Sequence, residues 1–184
     1  MSKKIVMLLA DGFEETEAIA TADVLARLGF ELCLTGLENE LVTGAHDIVL
    51  KTACLISEIE VDELDALVLP GGMPGSMNLR DSSAVIELVQ NAEVAGKVVA
   101  AICAAPMVLA QAGILDGKRA TCYPGFEEHL NGAICTAARC EQDGNIITAR
   151  GVGVSFEFGA KIAMALGIAE TEIEELFKAM LLKE

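Results

Sequence analysis

The sequence predicts an α/β protein with a mostly parallel sheet covered by helices on both faces. Three observations carry that prediction. Short apolar runs rich in β-branched residues recur along the chain, at Ile5–Ala10, Asp65–Pro70 and Lys97–Ile102. Segments with helical periodicity alternate with them, which is the order of a parallel sheet with crossover helices. Several of the runs end in glycine-bearing or acidic loops, placing those loops together at the carboxyl edge of the sheet, where ligand crevices form in such folds.

The elements follow in order. Ile5–Ala10 reads as the first buried strand. Asp11-Gly12-Phe13-Glu14-Glu15-Thr16-Glu17 is a loop running into a helix, with carboxylates filling the first turn as the helix dipole favours. Ala18, Ala22, Leu25 and Leu28 form the apolar face of that helix, and Gly29 stops it. Glu31–Thr35 is strand two. Leu41-Val42-Thr43 and Asp47–Lys51, joined through Gly44-Ala45-His46, read as a short antiparallel excursion. The strand Asp65–Pro70 runs into Gly71-Gly72-Met73-Pro74-Gly75, a loop able to bring bare backbone close to a ligand. Ser83–Ala95 is a helix, and Lys97–Ile102 is the strand that feeds Cys103. Ala120–Tyr123 is a short strand, followed by a loop and helical turn from Pro124 to Leu130. Asn145–Ala149 is a late strand after the turn Asp143-Gly144. Ser155–Leu166 and the amphipathic Glu170–Leu182 are the last two helices. No repeat or linker interrupts the 184 residues, so residues 1–184 are read as one domain.

Composition narrows the function. Hydrophobic residues make up 53%, enough for a large core, yet no apolar run is long enough to span a bilayer. The opening Met1-Ser2-Lys3-Lys4 leads into a short apolar run followed by Asp11-Gly12-Phe13-Glu14-Glu15, where a signal peptide would need a small-residue cleavage site, so a cytoplasmic protein is expected. The formal net charge of −15 repels phosphate backbones and anionic membranes, arguing against nucleic-acid or membrane partners. Cysteines stand at 33, 54, 103, 122, 135 and 140 with no C-x-x-C pair, so neither a zinc motif nor a dithiol motif is supported and no metal is expected. Free thiols are expected, five of them as packing residues.

The sixth, Cys103, is different. The run Val98-Val99-Ala100-Ala101-Ile102 arrives at it, and the helical pattern Met107–Ala112 leaves it. A strand turning sharply into a helix puts a nucleophile at an exposed corner, and small residues such as Ala101 and Ala105 are what the crowded flanks need. A helix N-terminus beside the thiol would lower its pKa. The alternative is a small buried cysteine packed between sheet and helix.

Four segments in this order and spacing resemble the ThiJ/PfpI family, in its protein-deglycase branch. They are Asp11–Glu17, Val68–Gly72, Ala100–Pro106 and Arg150-Gly151-Val152-Gly153-Val154-Ser155-Phe156-Glu157-Phe158. The resemblance covers essentially the whole chain. It implies a flavodoxin-like three-layer sandwich of the class I glutamine amidotransferase-like superfamily, usually a homodimer; the site residues themselves offer no metal cluster or nucleotide cradle, so no cofactor is expected. By register it assigns Cys103 as the reactive, oxidation-sensitive cysteine and Glu17 as the acid that hydrogen-bonds its sulfur. It also assigns the N–H groups of Gly72 and Ala104 as an oxyanion site. Without the register, Glu17 would read as a solvated helix-start carboxylate like Glu14 and Glu15.

Two departures stand out. Where relatives often carry histidine before the strand-end proline, this chain has Tyr123, a poor base at neutral pH because a free phenol titrates near ~10. The protease branch has histidine directly after the cysteine; here it is Ala104. The histidines are His46 and His129. His46 falls where some relatives place an arginine lining an anion pocket, so it and Arg150 are candidates for the pocket rim, and both histidines read as surface groups. One thiol, one acid and backbone donors suit addition to an aldehyde. The expected activity is glyoxalase- or deglycase-type handling of 2-oxoaldehydes or their protein adducts. A redox-responsive stress protein or chaperone is the alternative from a different class. A PfpI-type protease lacks its histidine, and nothing in these residues argues for the phosphate site of a thiazole-phosphate role.

Overall fold

The structure is a computed structural model that describes residues 2–183. The first strand β1 (Lys4–Leu9) is followed by α1 (Glu15–Arg27) and β2 (Glu31–Gly36). A hairpin of β3 (Leu41–Thr43) and β4 (Val49–Lys51) precedes the short β5 (Cys54–Leu55). Then come β6 (Ala66–Leu69), α2 (Gly75–Asp81), α3 (Ser83–Val94), β7 (Val98–Ile102) and α4 (Pro106–Gln111). The chain continues through β8 (Arg119–Ala120), β9 (Ile134–Cys135), β10 (Cys140–Asp143) and β11 (Ile146–Ala149). It closes with α5 (Ser155–Ala165) and α6 (Glu170–Ala179).

Seven strands form the central sheet in the order β10-β11-β7-β6-β1-β2-β5, and every pairing is parallel except β10 with β11. The strand period of two explains how β1 serves both faces. Ile5, Met7 and Leu9 point into a core shared with Val24 and Leu25 of α1, Phe158 and Ile162 of α5 and Phe177 of α6. Val6 and Leu8 point the other way, towards Leu79 of α2, Val85 and Val89 of α3 and Val108 of α4. A strand buried on both faces is apolar at consecutive positions, which is why β1, β6 and β7 are uninterrupted apolar runs. Gly159 lets α5 lie close on α1: a Cβ there would sit 3.0 Å from the Val24 Cβ.

The flavodoxin-like sandwich expected from the sequence is the fold observed. Several elements differ from their predicted bounds. The helix α2 takes up Gly75, the end of the predicted loop, and residues 76–81, for which the sequence predicts no element; it opens on a glycine and is too short for an apolar period to show. Strand β10, Cys-Glu-Gln-Asp, is a polar edge strand without an apolar run. The strand predicted over Ala120–Tyr123 is reduced to β8, and Thr121–Tyr123 is irregular chain. The final helix ends at Ala179 rather than Leu182. The cysteines also depart from expectation: only Cys122 is fully buried, Cys135 is exposed, and Cys33, Cys54, Cys103 and Cys140 are half-buried.

Candidate active site at Cys103

The strand β7 ends at Ile102, and Cys103 follows with φ +65°. That left-handed conformation is costly for a non-glycine residue and persists only where surrounding structure holds it. Three backbone bonds hold it here. Cys103 N–H donates to Ala149 O at 2.9 Å, Tyr123 N–H donates to Cys103 O at 2.8 Å, and Ala105 N–H donates to Ile102 O at 3.0 Å. The corner is thus pinned to the end of β11 and to the chain after β8. Ala101 and Ala105 are fully buried at the corner, where larger side chains would find no room.

Glu17, on the first turns of α1, is buried against the corner. Its Oε2 accepts a hydrogen bond from Gly71 N–H at 2.8 Å, while its buried Oε1 has no hydrogen-bond partner among the described residues. Gly71 makes this approach possible: a Cβ there would lie 2.6 Å from both the Cys103 Cβ and Glu17 Oε2. Burial pushes the Glu17 carboxyl up to about 7, against the opposing hydrogen bonds from Gly71 and from the Cys103 side. Burial also pushes the Cys103 thiol up to about 12, with the neighbouring Glu17 charge adding to it. The N–H groups of Ala104 and Gly72 both face the sulfur and pull the other way. The two groups titrate as a pair in which the carboxyl is the one that ionises near neutrality.

This corrects one expectation. The thiol is not depressed by a helix N-terminus. The helix α4 is one and a half turns long and begins at Pro106, three residues beyond the sulfur, so its dipole offers little there. Desolvation beside a carboxylate dominates instead.

The remaining predicted residues fall as follows. Tyr123 is half exposed, its ring edge-on to Phe126 at 6.1 Å between centroids. Gly151, which sequence reasoning passed over as a site residue, lies beneath both groups: a Cβ there would be 3.3 Å from the Tyr123 ring and 3.9 Å from the Cys103 sulfur. Arg150 is partly buried beside it, with its guanidinium donating to Ala137 O at 3.1 Å and its backbone N–H to Arg139 O. His46 is an exposed group on the β3–β4 turn, as expected, but it is engaged. Its Nδ1 lies 2.7 Å from Glu15 Oε2, its backbone N–H donates to Glu15 Oε1 at 2.6 Å, and Glu14 Oε2 is 3.7 Å from Nδ1. The carboxylates raise the His46 pKa, and the histidine holds Glu15 below its usual range despite burial. His46 therefore clamps the hairpin to the start of α1, two residues from Glu17. Glu14, Glu15 and His46 also form a group whose atoms could hold a metal ion. Sequence spacing gave no sign of it, because His46 is 31 positions from Glu15. Two surface depressions of about 580 and 560 Å³ lie elsewhere, beside α2 and α3, and neither includes Cys103.

An α/β sandwich with a strained cysteine at a strand-to-helix corner and a buried acid against its sulfur defines a class of cysteine-elbow proteins. The chain belongs to the DJ-1/PfpI family, whose model matches residues 3–165. It is 39% identical to Protein dj-1beta of Drosophila melanogaster over 98% of both chains. It is 33% identical to a deglycase of Pyrococcus abyssi, over 80% of this chain and 89% of that one. The crystal structure of Drosophila melanogaster DJ-1beta superposes with a TM-score of 0.94 at 38% identity, covering all of both chains. An oxidized DJ-1 of Toxoplasma gondii superposes at 0.92 with 30% identity over 98% of each chain.

Proposed function

We propose that the protein is a cysteine-dependent enzyme acting on 2-oxoaldehydes such as methylglyoxal, or on their protein adducts. The observation that carries this is the pairing of the Cys103 thiol with a carboxyl poised near pH 7, under two backbone N–H donors. Because the thiol is raised, Glu17 acts first as a base. Its carboxylate takes the thiol proton as sulfur forms a bond to the aldehyde carbon, and the Gly72 and Ala104 N–H groups hold the resulting oxyanion. Glu17 returns the proton to that oxygen, giving a hemithioacetal. It then removes the proton from the former aldehyde carbon and delivers it to the neighbouring carbonyl carbon, while the hydroxyl proton on the first carbon's oxygen passes to the oxygen of the second through an enediol. The product is a 2-hydroxy thioester, which water hydrolyses to a 2-hydroxy acid and the free thiol. The resemblance to a named deglycase supports this reading. No metal or cofactor is needed for any step.

A second reading is that Cys103 senses oxidants without turnover; the half-exposed sulfur among hydrogen-bond donors supports it. In either case the protein is read as a cytoplasmic homodimer. Among the described residues no helix is long and apolar enough to cross a membrane. Steady-state assay of wild type beside Cys103→Ser over a panel of small aldehydes decides between the two. Turnover lost in the serine variant supports the enzyme. Equal, background conversion by both proteins, with Cys103 the first thiol oxidised by peroxide, supports the sensor.

A further inference from the structure

Away from the Cys103 corner, two other cysteines have been brought together. Cys33 on β2 and Cys54 on β5 are separated by 21 positions, and their sulfurs lie 3.3 Å apart. Strand register explains the meeting. Thr35 pairs directly with Cys54, and Cys33 stands two residues before Thr35, on the same face of the sheet. The Thr35 hydroxyl contacts both sulfurs, at 3.6 Å from Cys33 and 3.5 Å from Cys54.

We propose that Cys33 and Cys54 form an oxidisable dithiol that closes to an intramolecular disulfide under hydroperoxide. A hydroperoxide oxidises one thiol to sulfenic acid, its O–O bond breaking and its other oxygen leaving as water or an alcohol. The second thiol then attacks that sulfur, the S–S bond forms, and the sulfenic oxygen leaves as water with the second thiol's proton. Two thiols lose two hydrogens and two electrons, and the hydroperoxide takes them up.

Several features favour this pair. Closing the gap needs an approach of roughly 1.3 Å to reach an ordinary S–S length, within the reach of small side-chain rotations. Both cysteines are half-buried, so oxidant reaches them while neighbouring chain limits competing partners. The strand β5 is two residues long and forms the free edge of the sheet, so it can shift without breaking inner pairings. Burial raises the Cys54 thiol, and the neighbouring Cys33 adds to that shift. The closed loop, residues 34–53, contains the β3–β4 hairpin that carries His46 against Glu15, so oxidation would tie down the sheet edge and that hairpin together. The inference is independent of whether Cys103 turns over aldehydes.

The test is peptide mapping of the wild-type protein after hydrogen peroxide and alkylation of the remaining thiols. Trypsin places Cys33 in the peptide 28–51 and Cys54 in 52–80. The expected result is a cross-linked pair of these peptides, 2 Da lighter than their sum, which dithiothreitol separates. Cys33→Ser and Cys54→Ser should each abolish it, and the oxidised wild type should melt roughly 5–10 °C above its reduced form. Both cysteines recovered as alkylated thiols, at a peroxide dose that fully oxidises glutathione, would overturn the proposal. So would either one appearing as sulfinic acid, or linked to a different cysteine.

Discussion

Glu17 carries the largest consequence of any single side chain. Its carboxyl is raised from 4.5 to about 7 in the folded protein, chiefly by burial. Below pH 4.5 it is protonated whether folded or not, and nothing is lost. As pH rises towards 7 the unfolded chain gives up a proton that the folded chain keeps, so stability falls; above 7 the full penalty, about 3 kcal/mol, is present. Glu17→Gln removes the charge and keeps the shape. Urea unfolding should find the variant more stable than wild type at pH 8 and equal to it at pH 4. An equal difference at both would trace the gain to packing. The same substitution should lower kcat/KM for methylglyoxal by roughly 10²–10⁴, because the base is gone. It should also erase an inflection near pH 7 in the wild-type profile. Tyr123 is a lesser matter. Its ring lies over Gly151 and its N–H donates to Cys103 O, a placement that suits closing the site. Tyr123→Phe should cost less than about a hundredfold and Tyr123→His should bring no large gain; a hundredfold gain from histidine would mean that the wild-type site lacks its base.

Among the elements, the loop after β6 sets the site's geometry, and Gly72 is its most constrained point. Its φ is +92°, and a Cβ would run into backbone atoms of Glu14, Gly12 and Phe13, which cannot move aside. Gly29, after α1, has φ +83° but open space around it. Gly29→Ala should therefore cost only the left-handed strain, about 1–2 kcal/mol. Gly72→Ala should cost clearly more and displace an N–H from the sulfur. Thermal unfolding of both variants, with the rate of Cys103 alkylation, checks the contrast; equal losses would mean that the loop yields. The contrast also marks where sequence stops being legible. Strands β1, β6 and β7 announce themselves as apolar runs because both faces are covered, and Cys103 stands out as a thiol between such a run and a helical pattern. The Gly71 loop is legible as one that brings bare backbone close, but Gly151 is not, because its role is the space it leaves against Cys103 and Tyr123. Nor are the Glu15–His46 clamp and the Cys33–Cys54 contact, since strand order and hairpin docking create them. The direction of the thiol shift was missed for a related reason: it depends on how deeply the corner is desolvated, and α4 begins too late and is too short to offset that.

At the scale of the whole molecule, the question is what the exposed apolar side chains meet. Ile19 on α1 is 46% exposed, and Leu41, Ile48 and Val49 of the hairpin region are 61%, 50% and 51% exposed. The hairpin is fastened to the start of α1 through His46 and Glu15, so these residues ride on one joined scaffold. A second copy of the chain is the occupant the family resemblance implies, and burying large apolar side chains supplies the drive. Charge works against it. Each chain carries −15, so two copies repel one another, and salt screens that repulsion over a Debye length of about 8 Å near 0.15 M. Sedimentation should therefore give a mass near twice 19.3 kDa at micromolar concentration, with dissociation growing weaker as salt rises from about 0.02 to 0.3 M. Ile19→Glu places a further negative charge at one of these exposed apolar positions and should shift the equilibrium to monomer while leaving the circular dichroism unchanged. A single species near 19.3 kDa at every salt concentration would mean that these side chains are not a dimer surface. Dimerisation unaffected by Ile19→Glu would place the interface on a different face of the sandwich.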